Sequence, residues 1–353
     1  GDEFLVVCHD IGSDEDLHEL VERVRTVLEN PVDVRSGTVS TTVFVGASIG
    51  VSVAVDPDTG TEQMLHEAGT AMREAKRLGR HRYQVFETSL GDPATRWLQV
   101  ERDLRTALAE DRMVLHYQPI VDLVTGRISG VEALLRMVDP VRGLVPPGEF
   151  IDVAEESALT YPLGDWVVNE ACRQLAVWQE IARSGPALTM AVNVTGRQAA
   201  EAARSGSVLT EASTAGIEAG TLFLEVTERT LLGAADDVVA DLEALTRAGV
   251  RLTIDDFGTG YSSLTYLQRF PVHTLKIDQS FVAGLGVNRR DDAIVAAVVA
   301  LGAALGLEVV AEGVETAEQQ AALQALGCPA AQGYFLGRPM PADDLSRLLV
   351  ANV

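Results

Sequence analysis

Basic residues are scarce in this sequence of 353 residues. Only 28 Lys and Arg stand against 51 Asp and Glu, which gives a formal net charge of −23. Proteins bind duplex nucleic acids mainly by neutralising phosphates with cationic side chains, so this composition argues against a nucleic-acid partner. An anionic small substrate would have to be accompanied by metal ions that reverse the sign of the local field.

Cysteine is also scarce. Cys8, Cys172 and Cys328 are odd in number and far apart, and they lack the paired short spacings of a zinc site or a secreted disulfide framework. This usage is typical of a reducing compartment. The sequence therefore predicts a cytoplasmic location for this segment, whether or not a longer parent protein carries a membrane anchor upstream.

Long hydrophobic runs are absent as well. The most apolar stretch, residues 293–307, contains two glycines and is shorter than the roughly 20 residues of a membrane span, so no membrane contact is expected from this segment. The chain begins with "GDEF" rather than Met, and we expect it to belong to a longer protein with a targeting or sensory segment upstream. The apolar stretch itself predicts a buried helix with one stripe formed by Ile294, Val298, Leu301 and Leu305.

The pattern of the chain changes near residue 90. Before it, strand-like and helical runs alternate irregularly, as in an α+β domain. We predict such a domain over residues 1–88, a linker and connecting helix over 89–110, and a second domain over 111–353. The runs in the first part are strand-like at 3–10 and 41–55 and helical at 16–29 and 61–79.

The second part alternates regularly between strand-like and helical runs. One helix is expected to begin with a capping box formed by Thr316 and Gln319 and to end at Gly327. Eight strands interleaved with helices predict an α/β fold of the (β/α)8 TIM-barrel type, although a doubly wound open sheet would show a similar alternation. The predicted strands are 114–121, 128–136, 188–194, 222–228, 250–256, 274–278, 308–315 and 331–335.

Polar residues recur at the ends of these predicted strands. In a barrel, catalytic side chains belong at the carboxyl ends of the strands, which share one rim. A single carboxylate there is most simply a solvated strand end or a local cap. The whole set is different, because so many acidic groups at one rim repel each other unless cations neutralise them. The set comprises Glu132, Asn193, Glu225, Glu228, Asp255, Asp256, Lys276, Asp278, Glu312, Glu315 and Gln332.

The chemistry of this set indicates the kind of metal. Oxygen ligands without His or Cys favour Mg²⁺ or Mn²⁺ over zinc or copper. The adjacent Asp255 and Asp256 in "RLTIDDFGTGYSS", residues 251–263, could serve two ions, as in two-metal hydrolytic sites.

Other interpretations of these motifs are weaker. "GTGYSS" at 258–263 is not a GxGxxG phosphate loop, because Ser263 stands where the last glycine belongs. Lys276 is a poor Schiff-base lysine, since nearby acids, Asp278 above all, would keep it protonated. Two readings stay open for Gly260 to Ser262, which either begin a helix or help to close the site. His116 and His273 are interpreted as structural.

From about residue 98 to the end, the chain resembles the EAL domain of bacterial cyclic di-GMP phosphodiesterases. Met137 stands where the family often has Trp, at a position that is not a ligand. The matching segments, in order, are "HYQPIVDLVTGRISGVEALLR", "VNVTGRQ", "LEVTE", "TIDDFGTGYSSLTYLQRFPVHTLKIDQSFV", "VVAEGVET" and "QGYFLGRPMP".

The resemblance implies roles for residues of this sequence. The metal ligands would be Glu132, Asn193, Glu225 and Asp255, with Asp256 on a second ion. Lys276 and Glu312 would orient or activate the attacking water, Gln332 would support that water or the metal, and Glu228 would anchor the loop after Asp256. The substrate contacts would be Gln118, Arg136, Glu315 and Asp278.

The resemblance also implies a fold, a reaction and a partner. The family barrel has its first strand antiparallel to the rest. The reaction is hydrolysis of cyclic di-GMP to linear pGpG, and the partner is a second copy of the chain that forms a homodimer near the loop after Asp256. Two alternatives remain: a receptor that binds cyclic di-GMP without cleaving it, and a parent protein that is both diguanylate cyclase and phosphodiesterase.

The first 88 residues resemble the C-terminal half of a GGDEF diguanylate cyclase domain. "GDEF", "ASIGVSVA" and "AMREAKRLGRHRYQVF" match in order, with Arg73 where Tyr is usual. The family's first strand, with its metal-binding Asp, lies upstream of this motif, and Glu3 alone cannot hold two ions. We therefore expect no cyclase activity from this chain, and an unpaired sheet edge at "EFLVV".

Overall fold

The computed structural model divides the chain into two units, Gly1–Gln99 and Val100–Val353. Among the described residues, none of the helices is long and apolar enough to cross a bilayer. The described residues are 4–8, 11, 14–28, 32–36, 39–43, 47–54, 60–77, 82–86, 93–181, 187–232, 236–259, 267 and 269–352.

The first unit contains two helices and two pairs of short strands in its described part. β1 pairs antiparallel with β2, and β3 pairs parallel with β4. The strand predicted at 3–10 is wrong for its described residues 4–8, which are exposed and pair with no described strand. A strand needs a paired neighbour to be stable. The elements are α1 (Asp14–Leu28), β1 (Val32–Ser36), β2 (Val39–Val43), β3 (Ile49–Val51), α2 (Thr61–Arg77) and β4 (Tyr83–Val85).

The helix α3 (Pro93–Ala109) follows, and the division between the units falls within it. Its first residue is proline, whose fixed φ and missing N–H suit the first turn of a helix. Near its other end, Leu104 and Ala107 are fully buried in a small core with Met113, Met137 and Phe150.

In the described part of the second unit, eight strands close into a barrel, which confirms the predicted fold class. The sheet runs in the order β5-β13-β12-β11-β10-β9-β8-β6, with β7 outside it on β6, and the pairing of β5 with β6 closes the ring. The strands are β5 (Met113–Asp122), β6 (Ile128–Asp139), β7 (Gly143–Val145), β8 (Thr189–Asn193), β9 (Leu222–Thr227), β10 (Arg251–Phe257), β11 (Thr274–Ile277), β12 (Glu308–Ala311) and β13 (Ala330–Ala331).

Strand β5 runs against both of its neighbours, whereas the other barrel strands run parallel to one another. The first residue of β5, Met113, is opposite Met137 near the carboxyl end of β6, and Gln118 is opposite Glu132. The last two predicted strands are shorter than expected, because β12 ends at Ala311 and β13 at Ala331. Glu312 and Gln332 are therefore the first residues beyond these strands.

The side chains of the strands alternate between the barrel axis and the surrounding helices. On β11, Leu275 and Ile277 are fully buried in the core shared with the helices. The helices of this unit are α4 (Ile151–Glu156), α5 (Thr160–Ile181), α6 (Gly196–Ser205), α7 (Ser207–Ala215), α8 (Glu228–Leu232), α9 (Asp236–Arg247), α10 (Gln279–Ala283), α11 (Arg289–Leu305), α12 (Ala317–Ala325) and α13 (Ala342–Asn352), with short 3₁₀ turns at Pro147–Glu149 and Ala219–Thr221.

Helix α11 corrects one prediction from the sequence. Leu305, placed on the buried stripe by periodicity, is 45% exposed. Val298 is buried as predicted, and Ile294 and Leu301 are partly buried against the core. A Cβ at Gly302 would lie 2.3 Å from Val309 Cγ2, so this glycine lets the helix approach β12 closely. The buried residues are Val295, Val298, Val299 and Gly302.

Two capping boxes fix the chain just beyond strands of the barrel. Thr316 accepts from the backbone N–H of Gln319, whose side chain in turn accepts from Thr316 N, as predicted. Thr195 and Gln198 form the same reciprocal pair at the start of α6. Each box satisfies backbone donors that a helix start leaves without partners.

Candidate active site

A buried lysine lies at the centre of the candidate site. Lys276 is on β11, and only 1% of its side chain is exposed. Its Nζ is within 3.4 Å of four carboxylates, which must therefore also lie close to one another. The distances from Nζ are 3.1 Å to Glu132, 2.9 Å to Glu225, 3.4 Å to Asp255 and 2.6 Å to Glu312.

Two amide side chains join these acidic residues. Gln332 Nε2 donates to Glu132 Oε2 at 2.6 Å and to Glu312 Oε1 at 3.0 Å. Asn193 Nδ2 donates to Glu132 Oε1 at 2.7 Å. Gln332 Oε1 is buried and has no hydrogen-bond partner among the described residues. A buried acceptor without a donor, inside a cluster of other acceptors, fits a site that binds a cation.

Three carboxyl groups of the site have raised pKa values. Burial raises the pKa of Glu225 well above its usual range, and repulsion from Glu132 and Asp255 acts in the same direction. Burial also raises the pKa of Glu312 to about 8. The pKa of Asp256 is raised to about 6, by burial first and then by repulsion from Asp255. So many buried acidic groups at close range therefore oppose one another's ionisation unless a cation compensates.

Two members of the cluster are stabilised in their charged form. Burial opposes the charge of Lys276, but attraction by the surrounding carboxylates outweighs it and raises the pKa of the ammonium well above its usual range. Burial likewise opposes ionisation of Glu132, yet Lys276 and the hydrogen bonds from Gln332 and Asn193 hold its pKa below the usual value. Lys276 is thus protonated as expected, but its acidic partners come from other strands. Asp278, the neighbour singled out in the sequence, instead caps α10 through Ser280 N at 3.0 Å.

Adjacent acidic residues lie just before the end of β10, where its register with β11 shifts between Ile254 and Phe257. Asp256 has a φ of 54°, in the left-handed region that non-glycine residues seldom adopt. Carboxylate oxygens of Asp255, Asp256 and Glu312 all lie within 4.8 Å of one another, close enough to share a metal ion. Just beyond, Glu228 Oε2 accepts from Gly258 N at 3.0 Å and holds the start of the following loop. Gly260 to Ser262 lie outside the described residues.

The structure places the remaining predicted residues around this cluster. Gln118 Nε2 donates to Gly337 O at 3.0 Å. The half-buried Arg136 donates to Leu135 O at 2.7 Å. Glu315 is linked to the helix that follows through its backbone N–H, which donates to Gln319 Oε1 at 2.7 Å.

One residue of the site was missed in the sequence. Gly333 lies so close to the loop after β12 that a Cβ would be 2.1 Å from Val314 N. Val314 N donates to Gln332 O at 3.1 Å, so this contact fixes the backbone that carries Gln332. In the sequence, the only sign of this close contact is the glycine that directly follows Gln332 in "QGYF".

Comparison with known proteins shows the family of the chain. Residues 101–339 match the family described as "EAL domain". The chain belongs to the EAL domain family. Residues 1–82 match the family described as "Diguanylate cyclase, GGDEF domain".

Relatives of this EAL protein include two from Pseudomonas aeruginosa. "Bifunctional diguanylate cyclase/cyclic di-GMP phosphodiesterase MucR" is 41% identical over 345 residues, which cover 98% of this chain and 49% of MucR. "Cyclic di-GMP phosphodiesterase NbdA" is 40% identical over 352 residues, 99% of this chain and 44% of NbdA. The chain thus spans about half the length of the curated relatives it matches.

A solved structure closely resembles the EAL domain. "PaMucR Phosphodiesterase, c-di-GMP complex" has 47% sequence identity and a TM-score of 0.66, and the match covers 70% of this chain and 99% of that one. The EAL domain of Mycobacterium smegmatis DcpA is 37% identical with a TM-score of 0.57, covering 68% of this chain and 96% of that one.

Proposed function

We propose that this EAL domain hydrolyses one phosphodiester bond of cyclic di-GMP to give linear pGpG, with Mg²⁺ or Mn²⁺ as cofactor. The observation that carries the proposal is the convergence of four carboxylates on Lys276 Nζ within 3.4 Å. The names of MucR and NbdA support the substrate, as does the complex of PaMucR with c-di-GMP.

The cofactor part of the proposal is two divalent cations held by the oxygen-rich side chains of the site. In the proposal, Glu132, Asn193, Glu225 and Asp255 hold one ion, and Asp256 takes part in holding the second. These side chains offer only oxygen ligands, as Mg²⁺ and Mn²⁺ prefer. When bound, the ions would supply positive charge that neutralises the acidic cluster and polarises the phosphodiester.

Glu312 is the group proposed to receive the proton of the attacking water. Its pKa of about 8 suits proton exchange near neutral pH, where a general base is most effective. Lys276 Nζ and Gln332 Nε2 both hold Glu312 Oε1, at 2.6 Å and 3.0 Å, and so orient the carboxyl group. The water oxygen bonds to phosphorus and the P–O3′ bond breaks, because the product pGpG keeps its 5′-phosphate. The departing O3′ takes up one proton and becomes a hydroxyl, so the proton given to Glu312 is balanced over the whole hydrolysis.

The substrate contacts are proposed to lie around the acidic cluster. Gln118 is opposite Glu132 in the β5–β6 register, and Arg136 is farther along β6 in the direction of its carboxyl end. Glu315 and Asp278 follow β12 and β11, on the same rim. Glu228 keeps the loop after Asp256 in place through Gly258 N.

A turnover assay tests this proposal. The chain is incubated with cyclic di-GMP and Mg²⁺, Mn²⁺, Ca²⁺ or a chelator, and pGpG is quantified. We expect pGpG with Mg²⁺ or Mn²⁺ and none with the chelator. Ca²⁺ should bind without supporting turnover, because its looser coordination spoils in-line geometry. Tight binding of cyclic di-GMP without turnover, at ample Mg²⁺ and Mn²⁺, would favour the receptor alternative instead.

Three further proposals concern the parent protein. Its assembly is proposed to be a homodimer through the EAL domain, which light scattering of the chain at several concentrations would test.

The name of MucR supports a parent protein that is also a cyclase, and incubating the longer protein with GTP would test this. The three cysteines of this chain are free, which supports a cytoplasmic location for this segment, and fractionating cells would test that location.

A further inference from the structure

Two exposed aromatic side chains directly follow the candidate active site in the chain. Tyr334 is 53% exposed and Phe335 is 48% exposed, just after the buried Gln332. The guanidinium carbon of Arg338 lies 4.3 Å from the centroid of the Tyr334 ring. Large aromatic side chains are usually buried for most of their area, so an exposed ring held under a guanidinium is available to a ligand.

The loop that carries this pair is fixed from both sides. Phe335 N donates to Val314 O at 2.9 Å, and Gly337 N donates to Gly333 O at 2.9 Å. From the other side, Gln118 Nε2 donates to Gly337 O at 3.0 Å. Tyr334 and Arg338 are therefore presented by a backbone that is already ordered, which reduces the entropic cost of binding a ligand there.

Electrostatics link the pair to the predicted substrate contacts. Burial lowers the pKa of Arg136, while Tyr334 and Glu132 act on the same guanidinium in the opposite direction. Tyr334 thus lies within electrostatic range of Arg136. In the proposed function the divalent ions act on the phosphodiester alone, so the bases of the substrate need a contact surface of their own.

We propose that the Tyr334 ring, backed by Arg338, forms a stacking surface for one purine base of the substrate. This inference rests on the proposed function, because it assigns a base-binding role at the same site. Bases stack on aromatic rings and on guanidinium planes irrespective of phosphate charge. The surface supplies affinity that the acidic cluster cannot, and it selects a nucleotide over a simple phosphodiester.

Kinetics of point variants test the stacking surface. Removing a stacking ring weakens nucleotide binding by roughly 10-fold or more, so we expect Tyr334→Ala to raise KM for cyclic di-GMP by that factor with a smaller change in kcat. Tyr334→Phe keeps the ring and should restore KM to within about 2-fold of the parent value. Arg338→Met removes the guanidinium plane but keeps most of the length of the side chain. Its KM for cyclic di-GMP should lie between those of the parent chain and Tyr334→Ala.

Phe335→Ala is the matched control, because it removes a neighbouring exposed ring from the same loop. Mn²⁺ affinity, measured by calorimetry without nucleotide, should be equal in all four variants. An unchanged KM in Tyr334→Ala overturns the inference, and so do equal rises in KM for Tyr334→Ala and Phe335→Ala, which would indicate a loosened loop. If the parent chain shows no turnover, the proposed function fails, and the Kd for cyclic di-GMP in the presence of Mn²⁺ replaces KM in the same comparisons.

Discussion

At the scale of single residues, the site depends on one cation that the fold itself provides. Lys276 is almost fully buried, and a buried charge is tolerated only when opposite charges compensate for its lost hydration. Here the compensation is mutual, because the ammonium also reduces repulsion among carboxylates that lie close together in the site.

Lys276→Met is expected to destabilise the protein in the presence of a chelator. The variant keeps the volume but leaves Glu132 and Glu225 without their counter-charge, and removing one partner from a buried ion pair costs about 3–5 kcal/mol. Urea unfolding followed by circular dichroism measures the change. Arg204→Met is the control, since its ion pairs with Glu201 and Asp241 are exposed and should contribute nothing measurable. Equal midpoints for Lys276→Met and the parent chain would contradict the prediction.

His273 is expected to make stability depend on pH. Its Nδ1 accepts from Leu252 N at 3.3 Å, and burial, then repulsion from Arg251, lower its pKa below 6.5, against attraction by Glu308. The unfolded chain therefore takes up a proton first as the pH falls. The stabilisation is complete above about pH 6.5 and is lost progressively below it.

The measurement compares the parent chain with His273→Asn, which keeps an acceptor but does not titrate. The variant is needed because other groups also make stability depend on pH. Glu312 and Asp256 have raised pKa values, so their contribution to stability is lost as the pH rises, opposite to the effect of His273. Urea unfolding at pH 7.5 and 5.5 should show a larger loss in the parent chain than in the variant. The same loss in both would rule out His273 as the source.

The types of the site residues were predictable from the sequence, but their contacts were not. Carboxylates at successive strand ends are visible as a pattern, and Glu132, Glu225 and Glu312 do meet at Lys276. That they meet there depends on the shear and closure of the barrel, which periodicity does not determine. Gln332 Oε1 lacks a hydrogen-bond partner among the described residues, and this too follows from three-dimensional packing that the sequence does not show.

At the scale of elements, the capping boxes connect local sequence to the site. Gln319 Oε1 accepts from both Glu315 N and Thr316 N, so it ties down the segment between Glu312 and α12. Both boxes have Gln at the third position, where Glu is also common. The neutral amide adds no further negative charge beside an acidic cluster.

Gln319→Leu is expected to lower stability and turnover together. Two partly buried hydrogen bonds to backbone N–H groups are lost, at a cost of about 0.5–1.5 kcal/mol each, and the segment after Glu312 loses its anchor. Gln319→Glu keeps both acceptors and should keep the stability. Urea unfolding and pGpG release measure the two effects, with Gln198→Leu as the equivalent change at the start of α6. A Gln319→Leu variant as stable as the parent would refute the role.

Most elements were predictable, because the apolar alternation and helix caps are local signals. The direction of β5 was implied by the family resemblance and is confirmed, but periodicity could not show it, since an antiparallel strand has the same period as a parallel one. The short outer strand β7 (Gly143–Val145) was missed for a related reason. It is only three residues long and is defined by its pairing with β6 rather than by its own pattern.

At the scale of the whole molecule, α3 belongs to the core of the barrel unit. Leu104 and Ala107 are fully buried against residues of that unit, although the helix begins before Val100. A domain boundary drawn by composition alone cannot detect this, because the buried residues belong to an otherwise charged helix.

A fragment of residues 93–353 is therefore expected to fold cooperatively on its own. A fragment of residues 113–353 lacks Leu104 and Ala107, exposes Met113 and Met137, and should unfold at a lower urea concentration. Circular dichroism during urea titration compares the two. Identical midpoints would mean that α3 does not contribute to the core.

The reversed strand determines where the chain arrives in the barrel. Met113 pairs with Met137 near the carboxyl end of β6, so the segment that leaves α3 joins the ring on the side of the acidic cluster. In a barrel with all strands parallel, the incoming segment would join at the opposite face, a full strand length from the reaction. The end of β5 that receives the chain from α3 is therefore five residues from Gln118, the neighbour of Glu132, so a change in the position of α3 would act on the strand that carries Gln118.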